Sequence, residues 1–195
     1  MTDINLTGKT CIVTGGGRGL GRSMVHALAG AGANVMAAMH INDNLEEDTK
    51  DLPGQVKSMV TDIRDPSNCA RIVHDTISEF GKLDVLVNNA GYGSYGAVED
   101  ISIEEARRQF EVNVFGLAQM TNAVLPTMRA QRSGRIIHIG SVGGKLWSLL
   151  GGWYQATKFA LEGFSDCTRN ELRPFGIDVV LIEPSSLEYC NICRF

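Results

Sequence analysis

Tyr154 and Lys158 stand four residues apart, a spacing that puts both side chains on one face of a helix. A phenol with a pKa of about 10 is a poor proton carrier at neutral pH. An ammonium beside it favours the phenolate and lowers that pKa. The pair can then take a proton from an alcohol or hand one to a carbonyl. Ser141, thirteen residues upstream, offers a hydroxyl to an oxygen on which charge develops. Taken alone, the pair also matches an ordinary amphipathic helix with a surface lysine one turn on.

A second pattern has a different chemistry. Thr14-Gly15-Gly16-Gly17-Arg18-Gly19-Leu20-Gly21 joins an apolar run to a helical one. Glycines let a backbone approach a pyrophosphate, and the free N–H groups and dipole of the following helix face the anion. The spacing is G-x-x-x-G-x-G at Gly15, Gly19 and Gly21, with Gly17 between, and no Lys-Ser or Lys-Thr follows to make a P-loop. The alternative is a tight turn without a ligand, although five glycines in seven residues carry a heavy entropic cost for a turn alone.

These residues need a frame. Strands are predicted at residues 10–14, 35–39, 56–62, 83–88, 135–141 and 177–183. Helices are predicted at 20–31, 66–80, 154–173 and, as one long or two abutting helices, 103–132. Pro66 suits a first helical turn. The first, fourth and sixth strands are near-continuous apolar runs, as expected where helices cover both faces of a sheet. Strand–helix alternation of this kind predicts an α/β fold with a parallel sheet. The chain has 195 residues, 44% of them apolar and 21% charged, which suits one globular domain without disulfides or metal. A net charge of -4 argues against nucleic acid or an anionic membrane as partner. No run approaches the roughly 18 apolar residues of a membrane span.

Further signals fall in order: Asp62-Ile63 at the end of the third strand, Asn88-Asn89-Ala90-Gly91 after the fourth, Asn113 in the long helix, and Ser141, Tyr154 and Lys158. The T-G-x-x-x-G-x-G, N-N-A-G and Y-x-x-x-K motifs, so ordered, resemble the short-chain dehydrogenase/reductase family over roughly residues 5–184. The resemblance implies a Rossmann-type doubly wound sheet of order 3-2-1-4-5-6 in a domain at 1–184. It implies an NAD(P)-dependent oxidoreductase that interconverts a secondary alcohol and a carbonyl. The catalytic set would be Asn113, Ser141, Tyr154 and Lys158, with Asn113 supporting a water that links Lys158 to solvent. The cofactor would meet Gly15, Gly17, Arg18, Gly19, Leu20, Gly21, Asp62, Ile63, Asn88, Asn89, Ala90, Gly91, Tyr154, Lys158 and Pro184. A small alcohol or carbonyl substrate and a homodimer or homotetramer are implied as partners. The competing reading is a cofactor-binding module with impaired turnover.

NAD-preferring members carry an acid at the end of the second strand. Here that position is Met39, followed by His40, and Asp43 comes late. Arg18 can pair with a 2′-phosphate, so NADP is expected over NAD. After Pro184 the resemblance is expected to end: residues 185–195 read as an aberrant tail, with the family's seventh strand and substrate-covering segment missing. Cys190 and Cys193 have a chelating spacing, but zinc needs two further ligands, so no metal is expected. Five cysteines, odd in number and mostly within apolar patterns, suit a reducing cytoplasm.

Overall fold

The computed structural model describes residues 4–40 and 44–185. Asp43 and the Cys190–Cys193 pair therefore lie outside the described residues, as does the tail beyond Ser185.

Six strands form one parallel sheet: β1 (Thr10–Thr14), β2 (Asn34–Met39), β3 (Val56–Val60), β4 (Val85–Asn88), β5 (Gly134–Ile139) and β6 (Ile177–Ile182). Their order is β3-β2-β1-β4-β5-β6, as predicted. The register sets Cys11, Ile12 and Val13 against Val85, Leu86 and Val87. Between the strands run α1 (Gly19–Gly30), α2 (Leu45–Thr49), α3 (Pro66–Phe80), α4 (Ile103–Phe110), α5 (Leu117–Gln131) and α6 (Gly152–Leu172). Residues Glu111–Gly116, between α4 and α5, form a wide π turn.

Local chemistry accounts for these elements. In α3, Pro66 occupies the first turn, where its missing N–H is no loss. The Asp65 side chain accepts from the Ser67 amide at 2.8 Å, and Gly81 closes the helix at φ +81°, a conformation cheap only for glycine. The buried residues Cys69, Ile72, Val73 and Thr76 turn one face of α3 to the sheet.

Two cores result. Ile12, Leu86 and Ile136 pack with Ile72 of α3 and Met120, Val124 and Met128 of α5 on one face. Val13, Val35 and Ala37 pack with Val25 and Ala29 of α1 on the other. Full burial of each such aliphatic side chain contributes about 1.5–3 kcal/mol.

The expectation that β6 is covered on both faces is overturned. Ile177 and Val179 are buried with Leu172 of α6, whereas Asp178, Val180 and Ile182 are exposed. β6 is the edge strand among the described residues, and α6 covers only one of its faces. The short helix α2 was not predicted.

In an open parallel sheet, ligands sit beyond the carboxyl ends of the strands, where the order reverses. That point lies between β1 and β4. The glycine run follows β1, Asp62 follows β3, Asn89–Gly91 follow β4, Ser141 follows β5 and Pro184 follows β6. One sheet edge therefore gathers motifs that the sequence scatters over 170 residues.

Candidate active site

The loop after β1 has little spare room. Gly15 and Gly19 adopt φ of +67° and +54°. A Cβ on Gly21 would lie 2.1 Å from the Gly15 carbonyl oxygen, so only glycine lets the helix start so close to the strand end. The loop is knotted to the end of β4 through Thr14. Its Oγ1 accepts from the amides of Asn89 and Ala90, both at 3.0 Å, and donates to the Val87 carbonyl. Asn89 Nδ2 in turn donates to the Thr14 carbonyl at 2.9 Å. Among the described residues no side chain caps the N-terminus of α1, so its amides face outward. Arg18 is exposed at that N-cap. The shape fits the pyrophosphate of a dinucleotide.

Around the neighbouring strand ends, Met39 is buried with its sulfur where a Cβ on Gly17 would fall, and His40 is exposed. The Asp62 carboxylate accepts from the amide and Nε of Arg64, both at 2.9 Å. These bonds hold its pKa below the usual carboxylate range. Ile63 turns its side chain into the core against Gly116, and its carbonyl accepts from Cys69 Sγ. Leu20 packs partly into the core behind α1.

Asn88 departs from expectation. Its side chain is buried and donates to Thr121 Oγ1 of α5 at 3.0 Å, so it joins a core network instead of lining the crevice. The sequence could not separate Asn88 from Asn89, because strand alternation points neighbours to opposite faces and the strand end decides which.

Ser141, Tyr154 and Lys158 meet beyond the end of β5. Ser141 Oγ accepts from the Gly143 amide at 3.1 Å. Tyr154 opens α6, and Lys158, almost wholly buried, donates from Nζ to the Ile139 carbonyl at 2.9 Å. The Lys158 nitrogen lies 5.7 Å from the centre of the Tyr154 ring.

The predicted lowering of the Tyr154 pKa by Lys158 is not found. Burial pushes the phenol above its ordinary value, and the bond with the Ser141 hydroxyl opposes that rise. Burial likewise pushes Lys158 down to about 8. Its Nζ is spent on the Ile139 carbonyl and does not offset the desolvation of the phenol.

Asn113 has partners that the sequence did not point to. It sits in the π turn and is buried. Its Oδ1 accepts from the Tyr92 amide at 3.0 Å, and its Nδ2 donates to the Tyr92 carbonyl at 2.8 Å and to Thr157 Oγ1 at 3.1 Å. The side chain clamps the loop after β4 to α6. A Cβ on Gly91 would sit 3.0 Å from Asn113 Oδ1, so a side chain there would press on this clamp. The Pro184 carbonyl accepts from the Val142 amide at 3.2 Å, tying the end of β6 to the segment after Ser141.

Several contributors were missed. Thr157 couples Asn113 to α6, Gln109 accepts from the Ser94 amide at 3.2 Å, and Arg22 donates to the Gly17 carbonyl at 3.1 Å. A basic residue one turn into the helix after a glycine loop was the available sign for Arg22. Thr157 and Gln109 carried none, because their bonds depend on tertiary approach.

Fold and site together define a nucleotide-binding α/β protein with a serine–tyrosine–lysine cluster. Short chain dehydrogenase is the family whose pattern matches residues 9–191, and this chain belongs to it. It is similar to 3-ketodihydrosphingosine reductase of Bacteroides thetaiotaomicron, with 38% identity over 173 residues that cover 89% of this chain and 62% of the relative. The chain thus spans less than two thirds of that relative's length. Among solved structures it resembles a metagenomic short-chain oxidoreductase in complex with NADP, with TM-score 0.87, 30% identity and coverage of 93% of this chain and 84% of that one. It also resembles NAD+-bound xylitol dehydrogenase, with TM-score 0.88, 28% identity and coverage of 92% and 70%. No described helix is long and apolar enough to cross a membrane, and no cluster of metal-ligating side chains occurs among the described residues.

Proposed function

We propose that this chain binds NADP(H) in preference to NAD(H) and interconverts a secondary alcohol and a carbonyl. The observation that carries the reading is the gathering of Ser141, Tyr154 and Lys158 beyond β5, beside a glycine loop that only glycine can form. The cofactor, when bound, supplies or accepts the hydride. In the reducing direction the carbonyl carbon gains that hydride while Tyr154 Oη gives its proton to the carbonyl oxygen; oxidation reverses both transfers. Ser141 Oγ steadies the oxygen as charge builds on it, and Lys158, anchored by one N–H on the Ile139 carbonyl, has further donors for the nicotinamide ribose. Arg18 is the residue assigned to the 2′-phosphate, and the absence of an acid at Met39 and His40 agrees with that choice.

The assembly proposed is a dimer through α4, the π turn and α6, where Phe115 is 50% exposed beside Ile103 and Trp153, and Phe159 of α6 is equally exposed. Phe115→Glu should leave a monomer by light scattering; an unchanged mass would remove this interface from the reading.

Thermal melts with each cofactor test the nucleotide. A shift is expected with NADPH, exceeding that with NADH at equal concentration. No shift with either would overturn the nucleotide reading, and a larger NADH shift would overturn the role of Arg18. Tyr154→Phe should lower turnover by about 10²–10⁴-fold while sparing NADPH binding. Turnover within a few-fold of the parent would remove Tyr154 from the mechanism.

A further inference from the structure

Two loops meet in front of Tyr154. The first follows β4. Asn113 holds it at both backbone groups of Tyr92, and Gln109 holds it at Ser94, so its course is set before any ligand arrives. Beyond these anchors Tyr95 swings back until its ring lies 5.5 Å from that of Tyr154, tilted by 40°. Gly93 makes this approach feasible, since a Cβ there would fall 2.8 Å from Tyr95 Cε2 and 3.1 Å from Tyr154 Cδ2.

The second loop lies between Ser141 and α6. Its Ser148 hydroxyl accepts from Gln155 Nε2 at 2.7 Å, and its Leu150 carbonyl accepts from the Gly96 amide of the first loop at 2.8 Å. Leu150 is held at φ +64°, a conformation in which a bulky non-glycine residue is strained. The strained residue is the one whose carbonyl binds the two loops together.

These tethers turn large apolar side chains to water. Trp147 is 81% exposed, Leu149 84%, Val98 63% and Tyr95 61%, with Leu150 close behind. Scattered single apolar residues on a surface are normal, but a contiguous group beside a polar centre marks a binding site. Here Tyr95 lies against the Tyr154 ring, Leu150 is tied to Gly96 of the same loop, and Val98 approaches Gly152 at the start of α6, two residues before Tyr154.

We infer that Tyr95, Val98, Trp147, Leu149 and Leu150 form an apolar platform that takes the hydrocarbon body of the substrate, so that the site selects ketones and secondary alcohols carrying a long or bulky apolar group. The inference rests on the proposed oxidoreductase function for the position of the reacting oxygen. Each methylene that the platform removes from water tightens binding about threefold to fourfold.

Fluorescence separates this inference from the oxidoreductase reading. The sequence holds two tryptophans, so the spectrum of the parent minus that of Trp147→Phe reports Trp147. Titration with 2-butanone, 2-hexanone, 2-octanone and 2-decanone should shift that difference spectrum to the blue, with Kd falling about threefold per added methylene. Tyr154→Phe should keep the series, and the exposed double variant Tyr95→Ser/Leu149→Ser should flatten it. A flat series in the parent overturns the platform, as does an unaltered series in the double variant. Trp147 emission already blue in the free protein would mean that the chain itself covers the patch. Emission that turns blue as protein concentration rises would mean that a second copy does. Either result also overturns the platform. A steep series without turnover of any ketone would uphold the platform and sink the oxidoreductase reading.

Discussion

Thr14 offers the most direct test of how the nucleotide loop is held. Its side chain is buried, and one oxygen accepts from two backbone amides, those of Asn89 and Ala90. Thr14→Val keeps the shape and leaves both donors facing a methyl group. An unsatisfied buried donor costs about 1–3 kcal/mol. These donors are only partly buried, so the lower part of that range applies and the pair sums to about 2–3 kcal/mol. Thr14→Ser keeps the oxygen and deletes a single methyl, at about 1 kcal/mol. In a chain of this size 1 kcal/mol moves Tm by about 2–4 °C. The valine variant should therefore melt about 4–12 °C below the parent and the serine variant about 2–4 °C below. Urea unfolding should rank the three proteins in the same order, and NADPH should stabilise the valine variant least, because Gly15 and Asn89 lose their common anchor. A valine variant as stable as the serine variant would refute the reasoning, since it would mean that the oxygen does nothing the methyl cannot.

Three further outcomes are expected. His138 is wholly buried against Ser165, and burial, aided by Arg169, pushes its pKa down to about 4 from 6.5; the unfolded chain then binds the proton first, so stability should fall as pH drops from 6.5 to 4, more steeply in the parent than in His138→Gln. Asn113→Ala strips both backbone groups of Tyr92 of their partner and should lower the unfolding free energy by about 1–3 kcal/mol, with faster amide exchange confined to the loop after β4. Gly21→Ala drives a methyl into the Gly15 carbonyl and should abolish the NADPH-induced melting shift, whereas Gly30→Ala, at an exposed helical position with open space, should stabilise by about 0.5–1 kcal/mol in urea unfolding.

What could be read in advance divides along physical lines. β1 and α3 were legible to the residue because local signals bound them: a glycine run after Thr14, and Pro66 and Gly81 at the ends of an amphipathic stretch. Alternation gave a parallel sheet, and its strand order came from the family resemblance that the ordered motifs carry. α2 was missed because Leu45 is the sole apolar residue among five, too little for a period. β6 looked like β1 because apolar composition reports what could be buried, whereas cover depends on which helices reach that end of the sheet. The candidate catalytic residues were legible as types at spacings, but their electrostatics were not. Whether Lys158 lowers the Tyr154 pKa depends on where Nζ points, and the Ile139 carbonyl claims it. Asn113 could be found but its clamping role could not, for its partners at Tyr92 and Thr157 are 21 and 44 residues away.

The wide turn at Glu111–Gly116 has a consequence for how the two halves of the long helix serve the molecule. An α-helix rotates about 100° with each residue, and a π turn takes in an extra one. The stripes before and after the turn are therefore out of phase. Upstream, Gln109 reaches the loop over the site; downstream, Met120, Val124 and Met128 point into the sheet core. An unbroken helix would aim both stripes along one line and satisfy one customer at the expense of the other. The turn acts as a phase shifter, and Asn113 sits where the dial is set. Excising one residue there would restore regular helical geometry, yet it would swing either the loop clamp or the methionine stripe away from its target.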